Sequence, residues 1–306
     1  MTLEEARVRC IFESLVGSRL YGMHEEDSDY DYKGVFMAPD NYYFGMDHVN
    51  QVEQGETTLY ELRRFLHLAG QNNPNILELL WIPEEHWKHV TVVWKTILES
   101  RDLLMSKKVK HTYSGYAFAQ LRRIKTHKKY LLHPLTHEPT REEFGLPGHR
   151  DLSSETMNAL LVIDPKCVKE EFVDLARREK NYSNAKREWD HYVVWQTNRN
   201  PARAALEEKY GYDVKHAAHL VRLMRQGQEA LEMGNITVDR RGVDADELKA
   251  IRNGAWSYDK IIEYCDEMDR KLTDVYEKSS LQYSPDHKKI GELCHRLVNN
   301  IYGRAL

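Results

Sequence analysis

The sequence predicts an α+β fold, with a small mixed β-sheet and its helices in residues 1–105 and a mainly helical region in residues 106–306. The first observation is a short-range alternation of apolar and polar residues before Thr58, which is the period of strands. The second is a change to apolar residues every three or four positions from Thr58 onward, which is the period of helices. We therefore expect two domains with these bounds.

Three stretches in the first domain are candidate strands. Residues 7–16 predict a short strand that leads into the turn Gly17-Ser18. Tyr30 to Phe36 alternates and is rich in aromatic and β-branched residues, as strands are. A turn follows at Pro39-Asp40-Asn41, and Val49 and Val52 then mark a further strand.

Capping residues mark helix starts later in this domain. Thr58 with Glu61 three positions on has the capping-box pattern, and Gly70 is a suitable end for the predicted helix. Asn75 with Glu78 repeats the pattern and predicts a second helix. A third helix is predicted after the next proline, at position 83.

Beyond residue 105, the apolar period predicts helices almost throughout. The exception is an irregular segment rich in Pro and Gly at about 133–155, which is long for a loop without a role of its own. The predicted helices cover residues 111–131, 165–181, 184–198, 200–210, 213–232, 244–252, 257–278 and 286–302.

Composition argues against several classes of protein. Of 306 residues, 41% are hydrophobic and 30% charged, the profile of a soluble globular protein. No apolar run approaches the roughly 18 residues of a membrane helix, and the charged N-terminus lacks the apolar region of a signal peptide. We therefore expect a cytoplasmic protein with no membrane association. The cysteines, at positions 10, 167, 265 and 294, form no CxxC pair, so neither a zinc knuckle nor a disulfide-linked partner is indicated.

The net charge of −4 conceals an uneven distribution along the chain. Residues 1–60 hold 12 acidic and 4 basic side chains, a net of −8, so the remaining residues carry +4. Residues 106–130 contain eight Lys and Arg, no Asp or Glu, and several aromatic residues between them. Basic and aromatic side chains together are typical of nucleic-acid binding, and a second basic cluster lies at 177–187. The alternative is an amphipathic helix with solvated charges.

The most informative residues lie between Gly17 and Asp31. In a strand, Asp29 and Asp31 project from the same face because side chains alternate. Two adjacent carboxylates repel unless a cation such as Mg²⁺ neutralises them. The turn at Gly17 and Ser18 would bring backbone N–H groups and a hydroxyl close to a phosphate. Together they predict a nucleoside triphosphate bridged by metal ions to the carboxylates. The alternative is a solvated acidic loop.

The order and spacing of these residues resemble a known signature. Val16-Gly17-Ser18 and then Asp29-Tyr30-Asp31-Tyr32 resemble the hydrophobic-Gly-Ser and Asp-hydrophobic-Asp-hydrophobic pattern of the DNA polymerase β nucleotidyltransferase superfamily. More narrowly, the chain resembles a predicted nucleotidyltransferase family that includes RlaP-type proteins, which are linked to RNA repair. This likeness spans residues 10–130 and 211–265, with further matching segments at 59–66, 73–80, 115–120, 215–223 and 251–254. Residues 139–145 resemble an insert of phage-borne members.

The resemblance implies an enzyme that transfers a nucleoside monophosphate from an NTP, here expected to be ATP, to an acceptor hydroxyl with release of pyrophosphate. The implied acceptor is the 3′ end of an RNA, tRNA-like in kind, bound through the basic segments 106–130 and 177–187. Two alternatives stay open. One is transfer to a small molecule or a protein hydroxyl, and the other is a catalytically inactive accessory protein that binds a nucleotide or nucleic acid.

The resemblance also implies a metal site made of three carboxylates. Asp29 and Asp31 would hold two Mg²⁺ or Mn²⁺ ions, while Gly17 and Ser18 would hold the β and γ phosphates. The third carboxylate of the superfamily is commonly Asp, but the corresponding place here has Glu56, which would also help to deprotonate the acceptor hydroxyl. Glu53 is the competing candidate.

Further basic residues are candidates for contacts with the nucleotide. Arg19 follows Ser18, and Lys33 shares the strand face of the two aspartates. His216 and His219 share a helix face with no third metal ligand nearby, so an anion contact fits better than zinc. The alternatives are surface ion pairs and a packed histidine pair. The candidates are Arg19, Lys33, Arg63, His216, His219 and Arg222.

Overall fold

The computed structural model describes residues 1–26, 28–149, 153–162 and 169–303. It has the predicted α+β fold, with a mixed sheet near the N-terminus followed by a mostly helical region. The chain forms two compact units, one of residues 1–124 with 214–306 and the other of residues 125–213. The first unit contains residues from both sides of the predicted domain boundary at residue 105. That boundary stays a prediction about separately folding domains.

The sheet consists of β1 (Cys10–Leu15), β2 (Tyr32–Phe36), β3 (Gln51–Gln54), β4 (Thr57–Glu61) and β5 (Trp87–Val90). Their order in space is β3-β4-β2-β1-β5, with β2 and β4 parallel and the other neighbours antiparallel. Strands are confirmed within 7–16, within 30–36 and at Val52 as β1, β2 and β3. However, Arg7 and Val8 belong to a helix, and Asp29 and Asp31 precede β2 rather than lying on one strand.

Two local predictions near the sheet need correction. The helix predicted from Thr58 ends at Gly70 as expected but begins only at Leu62, because Thr57–Glu61 forms strand β4 and Glu61, not Thr58, caps the helix. The Glu61 carboxylate accepts hydrogen bonds from the backbone N–H groups of Arg63 (2.9 Å) and Arg64 (3.2 Å). Pairing on both sides, with β2 and β3, outweighs the local capping preference of Thr58. Strand β5, at the sheet edge, lies where a helix was predicted.

Helices form most of the remaining structure. Those of the N-terminal region are α1 (Leu3–Val8), α2 (Gly17–Leu20), α3 (Asp40–Phe44), α4 (Leu62–Gly70), α5 (Pro74–Leu77) and α6 (Val92–Glu99). The later ones are α7 (Val109–Leu132), α8 (Ser154–Val162), α9 (Glu170–Thr197), α10 (Pro201–Tyr210), α11 (Val214–Met233), α12 (Ala245–Arg252), α13 (Tyr258–Lys278) and α14 (His287–Tyr302). Helix α5 is capped by Asn73 rather than by the predicted Asn75, and a 3-10 turn over Glu78–Trp81 continues it.

The helices predicted beyond residue 105 are confirmed with small changes at their ends, apart from one division. Helix α9 is continuous where two helices, 165–181 and 184–198, were expected, and residues 165–168 lie outside the described residues, as does Cys167. The segment 133–155 contains a 3-10 turn, Glu142–Phe144, and the start of α8, whereas 150–152 are not described. Within the described ranges, no helix is long and apolar enough to cross a membrane.

Aromatic packing holds the sheet in the first unit. The ring of Phe12 on β1 stacks on Trp94 of α6 with centroids 4.1 Å apart, and Phe65 of α4 packs against the same indole at 5.2 Å. All three side chains are fully buried. Helix α11, whose apolar face is buried, packs against α12 and α13 in the same unit. Burial of these faces fixes β1, β2, β4 and α11, which carry most of the predicted site.

Candidate active site

The parallel register of β2 and β4 brings four predicted or neighbouring polar residues together. Tyr32 pairs with Thr57, and its N–H donates to the carbonyl of Glu56 (2.8 Å), so Asp31 lies beside Glu56. Lys33 pairs with Thr58 in the same ladder. Because strand side chains alternate, the side chains that share one face of the sheet are those of Asp31, Lys33, Glu56 and Thr58. That face lines a pocket of about 210 Å³ whose walls are Val16, Gly17, Tyr21, Asp31, Tyr32, Lys33, Gly55, Glu56 and Thr58.

Gly17 is required where β1 ends against the Asp31 side chain. The N–H of Val16 donates to the Asp31 carbonyl (2.9 Å), which joins the end of β1 to the start of β2. Gly17 has φ +72°, and a Cβ built there would lie 2.3 Å from Asp31 Oδ2. Only glycine tolerates both this backbone conformation and this approach. The first residue of α2 therefore lies directly against a carboxylate.

Three carboxylates concentrate negative charge beside Gly17. The pKa of Glu56 is raised, first by a hydrogen bond with Asp31 and then by the charges of Asp31 and Asp29. Asp29 is exposed and lies outside the residues that line the pocket, although its charge acts on Glu56. Like-charge repulsion of this kind favours either a shared proton or a bound cation.

A buried hydrogen-bond network supports Lys33 on the opposite side of the pocket. The Nζ of Lys33 lies 3.9 Å from Glu78 Oε1 and donates to the carbonyl of Asn75 (3.4 Å). Glu78, which is 2% exposed, also accepts hydrogen bonds from the Tyr21 hydroxyl at 3.0 and 2.9 Å. Arg222 Nη1 lies 3.4 Å from Glu78 Oε2, and its guanidinium stacks on the Tyr21 ring at 3.6 Å. Neither Glu78 nor Tyr21 was predicted as a site residue.

Positive charges converge on His219 of α11. Burial first, and then the charges of Arg222, His216, Lys33 and Arg123 in that order, together lower the pKa of His219 to about 3. The imidazole is therefore neutral at neutral pH. Arg222 Nη2 lies 3.5 Å from His219 Nδ1. The predicted α11 candidates thus lie close to Lys33, in a region that favours anions.

A comparison with known families agrees with this arrangement. Residues 2–137 match the family described as RlaP, RNA repair pathway DNA polymerase beta family. Over these residues the chain is similar to this family. The resemblance to DNA polymerase β-type proteins is therefore confirmed for this region. Neither a curated protein nor a solved structure gave a match.

The donor set expected of an RlaP-type enzyme fits a divalent metal ion. Asp31 and Glu56 supply adjacent carboxylates, which are hard oxygen ligands of the kind that Mg²⁺ prefers. The position of Gly17 leaves no methyl group between the backbone and Asp31. Among the described residues, Asp29, Asp31 and Glu56 do not form a group whose three ligand atoms all lie within 4.8 Å of one another. The side chains of Asp29 and Glu56 are both exposed.

Two other groups in the described part of the chain do meet that 4.8 Å spacing. They are Glu85 with His86 and Asp239, and, in the second unit, His127 with Glu207 and Asp213. In each group an arginine already neutralises a carboxylate. Arg241 Nε donates to Asp239 Oδ1 (2.9 Å), and Arg199 Nε donates to Glu207 Oε2 (3.0 Å). Both groups are therefore better explained as ion-pair networks than as metal sites.

Several predicted contacts lie outside the pocket. Arg19 donates to the carbonyl of Ser28 (2.7 Å) and stacks on Tyr30 (3.7 Å), so it holds the loop that carries Asp29. Arg63 donates to the Tyr42 carbonyl (2.8 Å), away from the pocket. Ser18 does not line the pocket, and its carbonyl accepts from the N–H of Met23 (2.8 Å). Arg222 is 2% exposed, within the network already described.

Glu56 and Glu53, the two candidates for the third carboxylate, differ in their position relative to the pocket. Glu56 lines the pocket, whereas Glu53 lies on β3, where its carboxylate accepts a hydrogen bond from Gln51 (2.5 Å). The register that places Asp31 beside Glu56 therefore favours Glu56 as the third carboxylate.

Some of the charged side chains in each basic segment already have a partner within the protein. In 106–130, Lys108 bonds to Gln71, and Lys110 pairs with Asp269 (3.7 Å). In the second unit, Lys186 pairs with Glu138 and with Asp190 (3.3 Å). Arg123 makes no hydrogen bond or ion pair with any described residue, so its charge is available to a ligand.

Proposed function

We propose that the protein is a divalent-metal-dependent nucleotidyltransferase that transfers a nucleoside monophosphate, with ATP as the first candidate donor, to the 3′ hydroxyl of an RNA. The family placement suggests a DNA polymerase β-like nucleotidyltransferase in RNA repair. The observation that carries the proposal is the juxtaposition of Asp31, Glu56 and Gly17 at one end of β2 and β4. This is an arrangement for bringing a polyphosphate to carboxylate-bound metal.

In the proposed reaction, the acceptor oxygen bonds to the α-phosphorus while the bond from that phosphorus to the α–β bridging oxygen breaks, and pyrophosphate leaves. Bound metal ions, held by Asp29, Asp31 and Glu56, would neutralise phosphate charge and activate the acceptor oxygen. Glu56 Oε would accept the proton of the acceptor hydroxyl. Lys33, whose ammonium group forms an ion pair with Glu78, would face the phosphates.

The charge arrangement supports a triphosphate as the ligand. A triphosphate would be repelled by the carboxylates alone, so the pocket needs positive charge as well as metal. Lys33 lines the pocket and supplies that charge directly. The neutral His219 and the nearby Arg123 extend the anion-favouring region beyond it.

The test is to incubate the protein with each α-³²P-labelled NTP, Mg²⁺ or Mn²⁺ and total RNA. Label in RNA supports the proposal, whereas label in protein or in small molecules indicates the other acceptors. Nucleotide binding without transfer to any acceptor would indicate an inactive accessory protein and overturn the proposal.

Two matched pairs of variants identify the carboxylates. Asp31→Asn should abolish transfer with the fold retained, while Asp40→Asn, on exposed α3, should not. Glu56→Gln should reduce transfer by about 100-fold, the scale of losing a positioned acid–base group, whereas Glu53→Gln should leave it within about threefold. Equal losses in the two glutamate variants would contradict the assignment of Glu56.

A further inference from the structure

One exposed face of α7 forms a groove that the proposed reaction does not yet use. The groove has a volume of about 440 Å³ and is lined by His111, Thr112, Gly115, Tyr116, Ala119, Gln120 and Arg123. These positions recur every three to four residues, so they form one stripe along the helix. The opposite face is core, since Tyr113, Ala117 and Ile124 are fully buried. A Cβ at Gly115 would meet nothing within 4 Å, so the middle of the groove is open.

The groove lies next to the catalytic pocket across the start of α5. Asn73 Nδ2 donates to the Tyr116 hydroxyl (2.7 Å), which fixes that ring at the groove. The carbonyl of Asn75, two residues on, accepts from Lys33 Nζ (3.4 Å) in the pocket. Because consecutive Cα atoms are about 3.8 Å apart, Asn73 and Asn75 lie within about 8 Å of each other. A chain leaving the pocket past Lys33 therefore reaches Tyr116 over a short distance.

The charge of the groove suits a polyanion. Arg123 lies at one end of the stripe and is exposed, with no ion pair among the described residues. Its charge lowers the pKa of His219, as does that of Lys33, so both cations act on the same side chain. The sequence from 106 to 130 has no acidic residue to oppose this charge. Lys110, by contrast, is paired with Asp269 and contributes less.

We propose that this α7 groove binds the single-stranded 3′ end of the RNA acceptor, with the Tyr116 ring as a surface for base stacking and Arg123 as a phosphate contact. Aromatic rings stack on bases of any sequence, and basic residues follow the backbone. A volume of about 440 Å³ lies in the range of small-ligand sites, which suits one or two unpaired nucleotides rather than a duplex. The inference rests on the proposed function, because it assigns the acceptor of that reaction.

The test measures binding of a fluorescent single-stranded RNA of ten nucleotides by anisotropy, with no NTP present. Arg123→Glu and Gly115→Leu should each weaken binding by about tenfold, the first by reversing a charge and the second by filling the groove without changing charge. Arg122→Glu is the matched control, because Arg122 is exposed on the same helix, makes the same charge change and does not line the groove. It should weaken binding by no more than twofold.

The outcomes separate this inference from the proposed function. Thermal melting first establishes that each variant is folded. Equal weakening by Arg122→Glu and Arg123→Glu, or unchanged binding with Gly115→Leu, would overturn the groove assignment even if the wild-type protein labels RNA. If binding follows the expected pattern but the wild type transfers no nucleotide, the groove assignment stands and the proposed chemistry fails. Label transferred to protein alone, with no RNA binding, would overturn both.

Discussion

Replacing Gly17 by alanine should separate backbone strain from damage to the carboxylate site. A Cβ at this position would lie 2.3 Å from Asp31 Oδ2, whereas an ordinary contact is at least 3.4 Å, so the carboxylate must retreat by roughly 1 Å. A displacement of this size typically costs about 100-fold in rate. The positive φ adds about 1–2 kcal/mol of strain for any residue with a Cβ. We therefore expect Gly17→Ala to lower both stability and transfer.

Gly242 provides the matched control for the strain alone. It has the same φ, +72°, but a Cβ there meets nothing within 4 Å. Gly242→Ala should lower the melting temperature by about 2–8 °C, as should Gly17→Ala, since 1 kcal/mol corresponds to roughly 2–4 °C for larger domains. Only Gly17→Ala should lose about 100-fold in transfer of labelled nucleotide. Full transfer by Gly17→Ala, or an equal loss in both variants, would refute the argument from the Asp31 contact.

Three further predictions concern charge. Because the pKa of Glu56 is raised above its ordinary value of 4.5, the folded protein loses stability as pH rises above that value. Glu56→Gln should therefore melt at a higher temperature than the wild type at pH 8 without metal, but not at pH 4. Mg²⁺ should raise the melting temperature of the wild type more than that of the variant. His219 has a pKa of about 3 in the folded state against 6.5 when unfolded, so acidification from pH 6.5 to 5 should destabilise the wild type by about 2 kcal/mol relative to His219→Gln in urea unfolding; parallel pH profiles would contradict this. Glu78→Gln leaves buried Arg222 without its counter-charge and should cost about 3–5 kcal/mol in urea unfolding, whereas exposed Glu84→Gln should be neutral, and a loss below 1 kcal/mol would show that the network matters little.

Local patterns were sufficient where one segment carries the whole signal. The alternation over residues 30–36 predicted β2, and the spacing of Gly17, Asp29 and Asp31 indicated the family that residues 2–137 resemble. Local patterns misled at Thr58 and Glu61, where a capping motif coincides with a strand. Pairing with β2 and β3 supplies backbone hydrogen bonds on both edges of β4, and a local motif cannot report such distant partners.

The sequence by itself determined the fold class and the family likeness of residues 2–137, because these depend on short-range periodicity and on a compact motif. Only the tertiary structure decided what surrounds the predicted site residues. Tyr21 and Glu78 meet across 57 positions, and Arg222 joins them from 144 positions beyond Glu78. The groove on α7 becomes part of the site only because Asn73 joins it to the turn beside Lys33. Such contacts depend on which faces are buried together, and that choice is made by the packing of the whole unit.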